Sequence, residues 1–318
     1  HNMKKILIYE YITGGGLSNE DLSSDLMYEA KQILISIIES CDLSKNFDYK
    51  YFVVYRLKEL HSNNSISIYK SSDLYNISLI KNFDYIIPVI PEINYELYRY
   101  VKFLKKNNFK TIISDPKTIK ICSDKLLFYK YFSKNDLPVI KTFENFSFPK
   151  DSKKYILKDR YGAGCSFIKV IDKRDIKKFH DTNKVVQPYI KADNYSISVF
   201  FTKNNFRFLT LNKQNLAHHM NMIKIESLTI NTKNNYYLKI LSLIDNIKRA
   251  MPGLFGFVGI DILIRNDMIY IVEINPRLTT SYVGLNETIG CNMVDLLLNH
   301  KYIKNIITSR KFNLLNYE

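Results

Sequence analysis

Apolar residues in the first third of the chain alternate between short continuous runs and runs with helical spacing. Lys4 to Tyr11 is a strand-like apolar run, whereas from Asp21 to Ser40 the apolar residues recur at the three- and four-residue intervals of an amphipathic helix. The same alternation then predicts strands at Tyr51 to Tyr55, Asp84 to Pro91 and Thr111 to Ser114, and a helix at Tyr95 to Lys106. Alternating strands and helices predict an α/β layer with a mostly parallel sheet.

The pattern changes after Pro116, where short strands become more frequent. It predicts helices at Ser123 to Ser133 (with Ser123 as its cap), Tyr236 to Met251 and Asn286 to Asn299, and strands at Tyr155 to Lys158, Ser166 to Ile171, Val185 to Ile190, Tyr195 to Phe201 and Phe206 to Leu211. A glycine-containing loop, Asp159 to Cys165, joins the first two of these strands. Such a loop lets backbone amides approach a phosphate closely, and the alternative is a simple hairpin turn shaped by its glycines.

Two carboxylates and a carboxamide interrupt the most apolar hairpin of the sequence, formed by Phe257 to Arg265 and Ile269 to Asn275. Because side chains alternate between the faces of a strand, Glu273 and Asn275 share one face while Val272 and Ile274 take the other. A three-residue loop, Asn266 to Met268, pairs Arg265 with Ile269 and places Asp261 opposite Glu273. A two-residue loop instead sends Asp261 to the opposite face, because a slip of one residue inverts every side chain.

Carboxylates in such an apolar setting repel one another and resist desolvation, so they need a shared counter-charge. Asp261, Glu273 and Asn275 with Arg277 nearby suit Mg²⁺ that holds a polyphosphate, because Mg²⁺ commonly takes one or two carboxylates together with phosphate oxygens. Mn²⁺ is the second candidate metal. The alternative is an exposed hairpin edge with scattered charges, which the apolar neighbours disfavour.

Composition and charge set the outer limits. The chain has 318 residues, of which 46% are hydrophobic and 14% aromatic, so we expect a globular protein with two or three domains: 3–115, 116–192 and 193–318. No apolar run approaches the ~20 residues of a membrane span, so we expect no membrane partner and a cytoplasmic location. A homodimer is an expected assembly, although the sequence does not determine it.

The net charge of +15 raises the question of nucleic-acid binding. Lysines are spread through every segment, and no helix carries a basic stripe, so we expect only weak, salt-sensitive attraction to polyanions and no specific nucleic-acid partner. Cys41, Cys122, Cys165 and Cys291 are isolated in the sequence. Their spacing argues against a zinc site or a disulfide framework and indicates reduced thiols packed as small hydrophobic residues.

The order of these parts resembles the ATP-grasp carboxylate-amine ligases from about Ser123 to Asn299. The first third is similar to the domain that precedes ATP-grasp modules, so the resemblance implies an α/β fold with an N-terminal parallel α/β domain and two α+β subdomains that clasp the nucleotide. Asp124-Lys125 resembles the family's first phosphate-contacting lysine, and Ile156-Leu157-Lys158 with the glycine loop resembles the second lysine and the lid. Gln187-Pro188-Tyr189-Ile190 is similar to the adenine hinge.

The resemblance implies ATP and Mg²⁺ as cofactors and small carboxylate and amine substrates. It implies catalytic roles for Arg277 and Lys158. The predicted nucleotide-binding residues are Lys125, Lys158, Gly162, Gly164, Ser166, Gln187, Pro188, Ile190, Asp193 and Asn194; the predicted metal ligands are Asp261, Glu273 and Asn275; and the predicted substrate-binding residues are Gly14, Gly15, Gly16, Thr280 and Ser281. For Gly14 to Gly16 the alternative is a tight turn without a ligand, and for Thr280 and Ser281 it is a helix cap. His218 and His219 are expected to form a solvated pair in a loop.

Four positions depart from the family pattern. Asp159 stands where the family usually has Pro, Cys165 where another Gly is common, and Ala192 in place of the Gly after the hinge. Asn194 stands where a ribose-binding Glu is typical, and either Asn194 or Asp193 can still bond a ribose hydroxyl.

Two short segments resemble a particular subgroup, that of the tyramine-glutamate ligases of methanofuran biosynthesis. They are Ile6 to Tyr11 with the glycine turn, and Asn275 to Ser281. This resemblance implies that ATP activates the glutamate γ-carboxylate as an acyl phosphate, which tyramine or a related amino compound captures with release of ADP and phosphate. The alternatives are a ligase for other amino acids, a nucleotide-binding module without turnover, and a polyanion-binding protein.

Overall fold

The structure is a computed structural model, and it describes residues 3–144, 151–163, 168–178, 181, 183–299 and 308–314. Its N-terminal part is a four-stranded parallel sheet with strand order β3-β2-β1-β4. The strands are β1 (Lys4–Glu10), β2 (Phe47–Val54), β3 (Ser65–Ile68) and β4 (Tyr85–Val89). The helices are α1 (Ser24–Leu43), α2 (Ile77–Ile80) and α3 (Glu96–Lys106), with 3-10 turns at Lys58–Leu60, Ser71–Tyr75 and Ile93–Tyr95.

The remainder of the chain builds a second sheet with strand order β13-β12-β9-β10-β11-β7-β6-β8-β5, to which β14 adds beside β11. Its strands are β5 (Phe143–Glu144), β6 (Lys154–Asp159), β7 (Ile168–Asp172), β8 (Lys184–Pro188), β9 (Asp193–Phe201), β10 (Phe206–His219), β11 (Met222–Ile230), β12 (Gly256–Arg265), β13 (Met268–Asn275) and β14 (Arg310–Asn313). The helices are α4 (Pro116–Cys122), α5 (Lys125–Lys134), α6 (Tyr237–Ala250), α7 (Leu285–Ile289) and α8 (Met293–Asn299), with 3-10 helices at Lys173–Lys178 and Thr280–Gly284.

This larger sheet has two halves that meet at one residue pair, Met222 with Lys169. The strand-loop-strand arrangement predicted around the glycine loop is present, because β6 and β7 pair antiparallel on either side of it. The mixed α/β fold with a parallel N-terminal sheet is therefore as the sequence predicts. No helix within the described ranges is both long enough and apolar enough to cross a membrane.

The N-terminal sheet is fixed to the C-terminal helices through a shared core. Helix α1 contributes Leu34 to a cluster that also contains Ile8 of β1, Tyr282 and Leu285. All four side chains are buried, so the carboxyl ends of β1 and β4 have a defined position relative to the end of the β12–β13 hairpin. The site described below depends on this fixed relation.

The bounds of two predicted helices and one predicted strand differ from those in the structure. Asp124, and not Ser123, caps α5, because its carboxylate accepts hydrogen bonds from the N–H groups of Leu126 (3.0 Å) and Leu127 (3.2 Å). The helix predicted at Asn286 to Asn299 is two helices, because Gly290 takes a left-handed conformation (φ 66°) that ends α7. The strand predicted at Thr111 to Ser114 is reduced to one isolated bridge, from Thr111 to Ile86.

The hairpin reaches the predicted pairing of Asp261 with Glu273 by a different route. Its loop has two residues, Asn266 and Asp267, both with positive φ (49° and 61°), so Arg265 pairs with Met268. The predicted three-residue loop is wrong. A β-bulge then adds Val272 between the pairs Ile262–Ile271 and Asp261–Glu273 and restores the register. As a consequence Val272 lines the same cleft as Glu273, which corrects its predicted position on the opposite face.

Candidate active site

A cleft of about 480 Å³ lies between the two halves of the larger sheet. Strands of both halves and the start of α5 contribute to its walls. Its lining includes the predicted residues Lys125, Lys158, Gln187, Pro188, Ile190, Asp193, Asn194, Asp261 and Glu273. The two predicted lysines, the hinge and two of the three predicted metal ligands therefore come together in one cavity, whereas Asn275 and Arg277 are not among its lining residues. The volume of the cavity falls in the range of small-molecule sites.

Asp261 and Glu273 occupy facing positions on β12 and β13 and form a pair of carboxylates in the cleft. Burial raises the pKa of Asp261 well above its usual range, and the charge of Glu273 raises this pKa further. Gln214 of β10 donates from Nε2 to Oδ1 of Asp261 over 3.2 Å. The raised pKa of Asp261 shows that two adjacent negative charges are unfavourable here, and a bound cation would offset that repulsion.

The two predicted lysines lie beside this carboxylate pair. Lys125, at the first position of α5, places Nζ 4.0 Å from Oε2 of Glu273 and donates to the carbonyl of Gly162 over 2.5 Å. Lys158 is buried on β6, and its charge lowers the pKa of Asp261, which places it within electrostatic reach of that carboxylate. Two cations beside two anions form a mixed lining that suits a phosphate chain and its metal.

The donor set agrees with Mg²⁺ bound jointly by protein and phosphates. The described part of the chain contains no group of three or more His, Cys, Asp or Glu side chains that could hold a metal. Asp261 and Glu273 supply two carboxylates, and Asn275, buried at the end of β13, pairs with Gly259 on β12. Few protein ligands are the usual arrangement for Mg²⁺ that completes its shell with substrate phosphates and water. The three residues would hold such an ion here.

The segment predicted as the adenine hinge follows the end of β8. Gln187 is buried and donates from Nε2 to Oγ1 of Thr142 over 2.9 Å, while the N–H of Tyr189 donates to the carbonyl of Lys154 over 3.0 Å. A trans peptide directs its carbonyl opposite to its N–H, so the Pro188 carbonyl points away from β6. This orientation suits an acceptor for an adenine amino group, as predicted for Pro188, with Ile190 also lining the cleft.

The two residues predicted to bind ribose lie at the start of β9. Asn194 donates from Nδ2 to the carbonyl of Ala192 over 3.2 Å, so this side chain is tied to its own turn. Asp193 is exposed and lies 3.7 Å from Nζ of Lys213, which also lines the cleft. The carboxylate of Asp193 is therefore the better placed of the two to accept from a ribose hydroxyl.

Arg277 follows the hairpin after a sharp turn and contacts the segment that follows β4 of the N-terminal sheet. Its N–H donates to the carbonyl of Asn275 over 2.8 Å across Pro276, which is the hydrogen bond of a γ-turn. Its side chain binds Glu92 with two hydrogen bonds, Nε to Oε1 at 2.9 Å and Nη2 to Oε2 at 3.1 Å. Burial raises the pKa of Glu92, while Arg277 acts in the opposite direction. The pair connects the end of β13 with the turn that follows β4.

The predicted substrate-binding residues of the N-terminal turn are closely packed. A Cβ atom on Gly14 would lie 2.4 Å from the carbonyl oxygen of Glu10, and one on Gly16 would lie 2.3 Å from the ring of Tyr11. Gly15 has a φ of +96°. Packing and backbone conformation are thus sufficient reasons for these glycines, and their contact with a substrate stays a prediction.

Thr280 and Ser281 both lie inside the 3-10 helix Thr280–Gly284, so the alternative that they cap a helix is wrong. Thr280 donates from Oγ1 to Oε1 of Glu29 on α1. Ser281 is buried, and its Oγ lies 2.8 Å from Oγ of Ser198. Of the two, Thr280 is the residue that contacts α1, and the contact of either residue with a substrate stays a prediction.

Several residues of this region escaped sequence reasoning. Gln214 carries no motif, and Glu92 lies 185 residues before its partner Arg277. Arg160 binds Asp124 through two hydrogen bonds of 2.9 Å and so ties the base of the glycine loop to the start of α5. His218 was expected in a loop, but it lies on β10 and lines the cleft. The predicted contacts of Gly164 and Ser166 lie outside the described residues.

Comparison with known proteins identifies the class. The sequence profile of the ATP-grasp domain matches residues 122–281, which is half of the chain and contains both lysines, the hinge and the carboxylate pair. The chain therefore belongs to the ATP-grasp family. The prediction that it is an ATP-dependent carboxylate-amine ligase is confirmed.

Two relatives and two solved structures are similar over most of their length. The chain is 28% identical to a tyramine–L-glutamate ligase of Methanocaldococcus fervens over 88% of this chain and 89% of the relative. It is 26% identical to a tyramine–L-glutamate ligase of Methanocaldococcus jannaschii over 97% and 94%. An ATP-grasp superfamily protein from Archaeoglobus fulgidus superposes with a TM-score of 0.76 at 22% identity, covering 97% of this chain and 91% of that one. An L-amino acid ligase from Bacillus licheniformis has a TM-score of 0.66 at 15% identity, with 94% and 74% covered.

Proposed function

We propose that the protein joins the γ-carboxylate of glutamate to tyramine or a related amino compound at the expense of ATP. The carboxylate oxygen attacks the γ-phosphorus and displaces ADP. The amine nitrogen then attacks the carbonyl carbon of the acyl phosphate, loses a proton and displaces phosphate. The products are an amide, ADP and phosphate.

The single observation that supports this chemistry most is the cleft in which two lysines face two carboxylates. Lys125 lies 4.0 Å from Glu273, and the half-buried Asp261 opposite Glu273 has a raised pKa. Such a lining suits a polyphosphate with a divalent cation better than it suits an uncharged ligand. When bound, Mg²⁺ neutralises charge on the phosphate oxygens and so makes the γ-phosphorus a better electrophile.

The chain's own residues would bind, orient and stabilise charge. Lys125 and Lys158 would hold phosphate oxygens, and Pro188 and Ile190 would read the base. Arg277, which follows the end of β13, would take charge that develops on the transferred group. Phosphoryl transfer depends mainly on positioning and electrostatic stabilisation, and therefore a rigid cleft with fixed charges is what this reaction requires.

The substrate proposal is supported by the N-terminal sheet and by the relatives. The strand order reverses between β1 and β4, and open α/β sheets bind ligands outside the carboxyl ends of strands at such a point. Glu10 ends β1, and Glu92 follows β4 and contacts Arg277, so this crevice opens next to the hairpin. Two relatives that match most of the chain act on tyramine and L-glutamate. The homodimer and the three-domain division of the chain stay predictions.

An ADP-release assay tests the proposal. Each of a set of amino acids is combined with each of a set of amines, including glutamate with tyramine, and every acid and amine is also assayed alone. We expect ADP and the amide only when both substrates are present. ATP binding without ADP release for any pair would refute the ligase, and release with other amino acids but not with glutamate and tyramine would refute the substrates.

A matched pair of lysine variants links the reaction to the cleft. Lys158→Met removes a buried cation of the lining, and Lys105→Met removes an exposed one on α3. We expect the first to lose turnover and the second to retain it, because Lys158 lines the cleft and Lys105 does not. Equal activity of the two variants would place the nucleotide elsewhere.

A further inference from the structure

Glu92 is the N-terminal domain's contact with the reacting end of the hairpin. It follows β4, its side chain is only 3% exposed, and it binds Nε and Nη2 of Arg277 at 2.9 and 3.1 Å. Arg277 is 14% exposed and also donates from Nη1 to the carbonyl of Leu278 over 3.3 Å. Glu92 lies outside residues 122–281, the part that matches the ATP-grasp domain.

The way in which Glu92 binds Arg277 decides which donors of the guanidinium stay available for another partner. A guanidinium has five N–H donors in a rigid plane, and the bonds to Glu92 use the edge formed by Nε and Nη2. One N–H of Nη1 donates to the carbonyl of Leu278. The terminal edge of the guanidinium then has two remaining donors, one N–H of Nη1 and one N–H of Nη2. These two donors are parallel, so they match two oxygens of one carboxylate or phosphoryl group.

Arg277 lies within electrostatic reach of other carboxylates that could attract its side chain. Burial lowers the pKa of Arg277, but the charge and hydrogen bonds of Glu92 and, to a smaller extent, the charges of Glu273 and Glu29 raise it. A guanidinium without a fixed partner would be drawn towards these carboxylates, and Glu273 belongs to the predicted metal site. The two bonds from Glu92 hold the side chain away from that alternative.

The turn that carries Glu92 is itself held in an unusual conformation. Asn94 and Tyr95 are consecutive residues with left-handed backbones, at φ 48° and 61°. The N–H of Asn94 donates to the carbonyl of Tyr161 over 2.9 Å, and Arg99 donates to the carbonyl of Asn94 over 2.7 Å. Left-handed residues other than glycine persist where the surroundings fix them, and they cluster at functional sites.

We infer that Glu92 is a positioning residue: it orients Arg277 so that the end of the guanidinium binds an oxyanion of the reacting carboxylate or phosphoryl group. This inference rests on the proposed function. Glu92 acts through Arg277 and does not touch the substrate.

The test compares Glu92→Gln with Ser114→Ala. Ser114 is buried and accepts at Oγ from the N–H of Phe255 over 3.0 Å, so it provides a contact between the N-terminal part and the rest of the chain far in sequence from Arg277. We expect Glu92→Gln to lower kcat on the order of 10²-fold, because misplacing a catalytic group by about 1 Å has such an effect. The Kd for MgADP, measured by calorimetry, should stay unchanged in both variants, and kcat should stay unchanged in Ser114→Ala.

A double-mutant cycle separates positioning from direct substrate contact. If Glu92 acts through Arg277, Glu92→Gln should reduce kcat little further in an Arg277→Lys background, because lysine has no fork to orient. A full additional loss in that background, or a raised KM for the amine with kcat intact, would overturn the inference and indicate that Glu92 binds substrate itself.

Glu92→Asp serves if Glu92→Gln does not fold. It keeps the charge but shortens the side chain by one methylene, so the guanidinium must move to keep the pair. We expect reduced kcat with the thermal midpoint close to that of the wild type, and wild-type kcat would overturn the inference.

The two proposals fail differently: an inactive wild-type protein refutes the function, whereas an active wild type with an equally active Glu92→Gln variant refutes only the role of Glu92.

Discussion

Replacing Glu10 by glutamine should stabilise the fold at neutral and alkaline pH. Glu10 is buried at the end of β1, where Oε1 accepts from the N–H of Ile12 (3.1 Å), the N–H of Thr13 (2.8 Å) and the hydroxyl of Thr13 (2.9 Å). Burial raises its pKa from 4.5 to about 7, although these hydrogen bonds act in the opposite direction. A glutamine oxygen can accept the same hydrogen bonds without a charge.

The sign and size of the effect follow from proton linkage. Below about pH 4.5 the carboxyl is protonated in both the folded and the unfolded state. Between pH 4.5 and about 7 the unfolded chain releases the proton while the folded protein keeps it, so the free energy of unfolding falls as pH rises. A difference of one between the folded and unfolded pKa corresponds to about 1.4 kcal/mol. The charge of Glu10 therefore lowers the free energy of unfolding by ~3 kcal/mol above pH 7.

Urea unfolding at several pH values between 4.5 and 8 measures this loss. We expect the stability of Glu10→Gln relative to the wild type to rise by ~3 kcal/mol across that range. Glu39→Gln, on the exposed side of α1, is the control and should show little change with pH. A difference between Glu10→Gln and the wild type that does not vary with pH would refute the reasoning.

Three further variants test other parts of the structure. Glu273→Gln should lose Mg²⁺-dependent turnover while its circular dichroism stays that of the wild type; unchanged activity would remove Glu273 from the site. Gln214→Leu deletes the 3.2 Å hydrogen bond to Asp261 and should lower the apparent affinity for Mg²⁺ in turnover by roughly tenfold to a hundredfold. An unchanged Mg²⁺ titration would show that Gln214 does not support the metal site. Gly15→Ala places a Cβ 2.7 Å from Cγ2 of Ile68 at a φ of +96° and should lower the free energy of unfolding by more than about 1 kcal/mol; a wild-type urea midpoint would show that the turn adjusts.

The chemistry of the site was more predictable than its geometry. The pairing of Asp261 with Glu273 was predicted correctly, but from a three-residue loop that the structure does not have. The loop at Asn266 and Asp267 is a tight turn, and the bulge at Val272 compensates for it. A β-bulge is difficult to predict from a single sequence, because the extra residue changes only the alternation of apolar and polar residues beside it.

Contacts between distant segments were the least predictable. Glu92 follows a strand of the N-terminal sheet, and nothing in its neighbourhood indicates that Arg277 is its partner. Its position depends on how the N-terminal sheet packs on the C-terminal helices, and a hydrophobic pattern predicts burial without naming the partner. The residues of the cleft were found more readily, because their spacing within motifs is local.

Transfer of oxygen from the carboxylate to phosphate tests carboxylate activation by ATP most directly. The enzyme is supplied with ATP, tyramine and glutamate whose side-chain carboxylate carries isotopically labelled oxygen, and the released phosphate is analysed by mass spectrometry. We predict one labelled oxygen in each phosphate, because the bond between carbon and the bridging oxygen breaks when the amine displaces phosphate. Unlabelled phosphate formed together with the amide, or release of AMP and pyrophosphate, would contradict activation through an acyl phosphate.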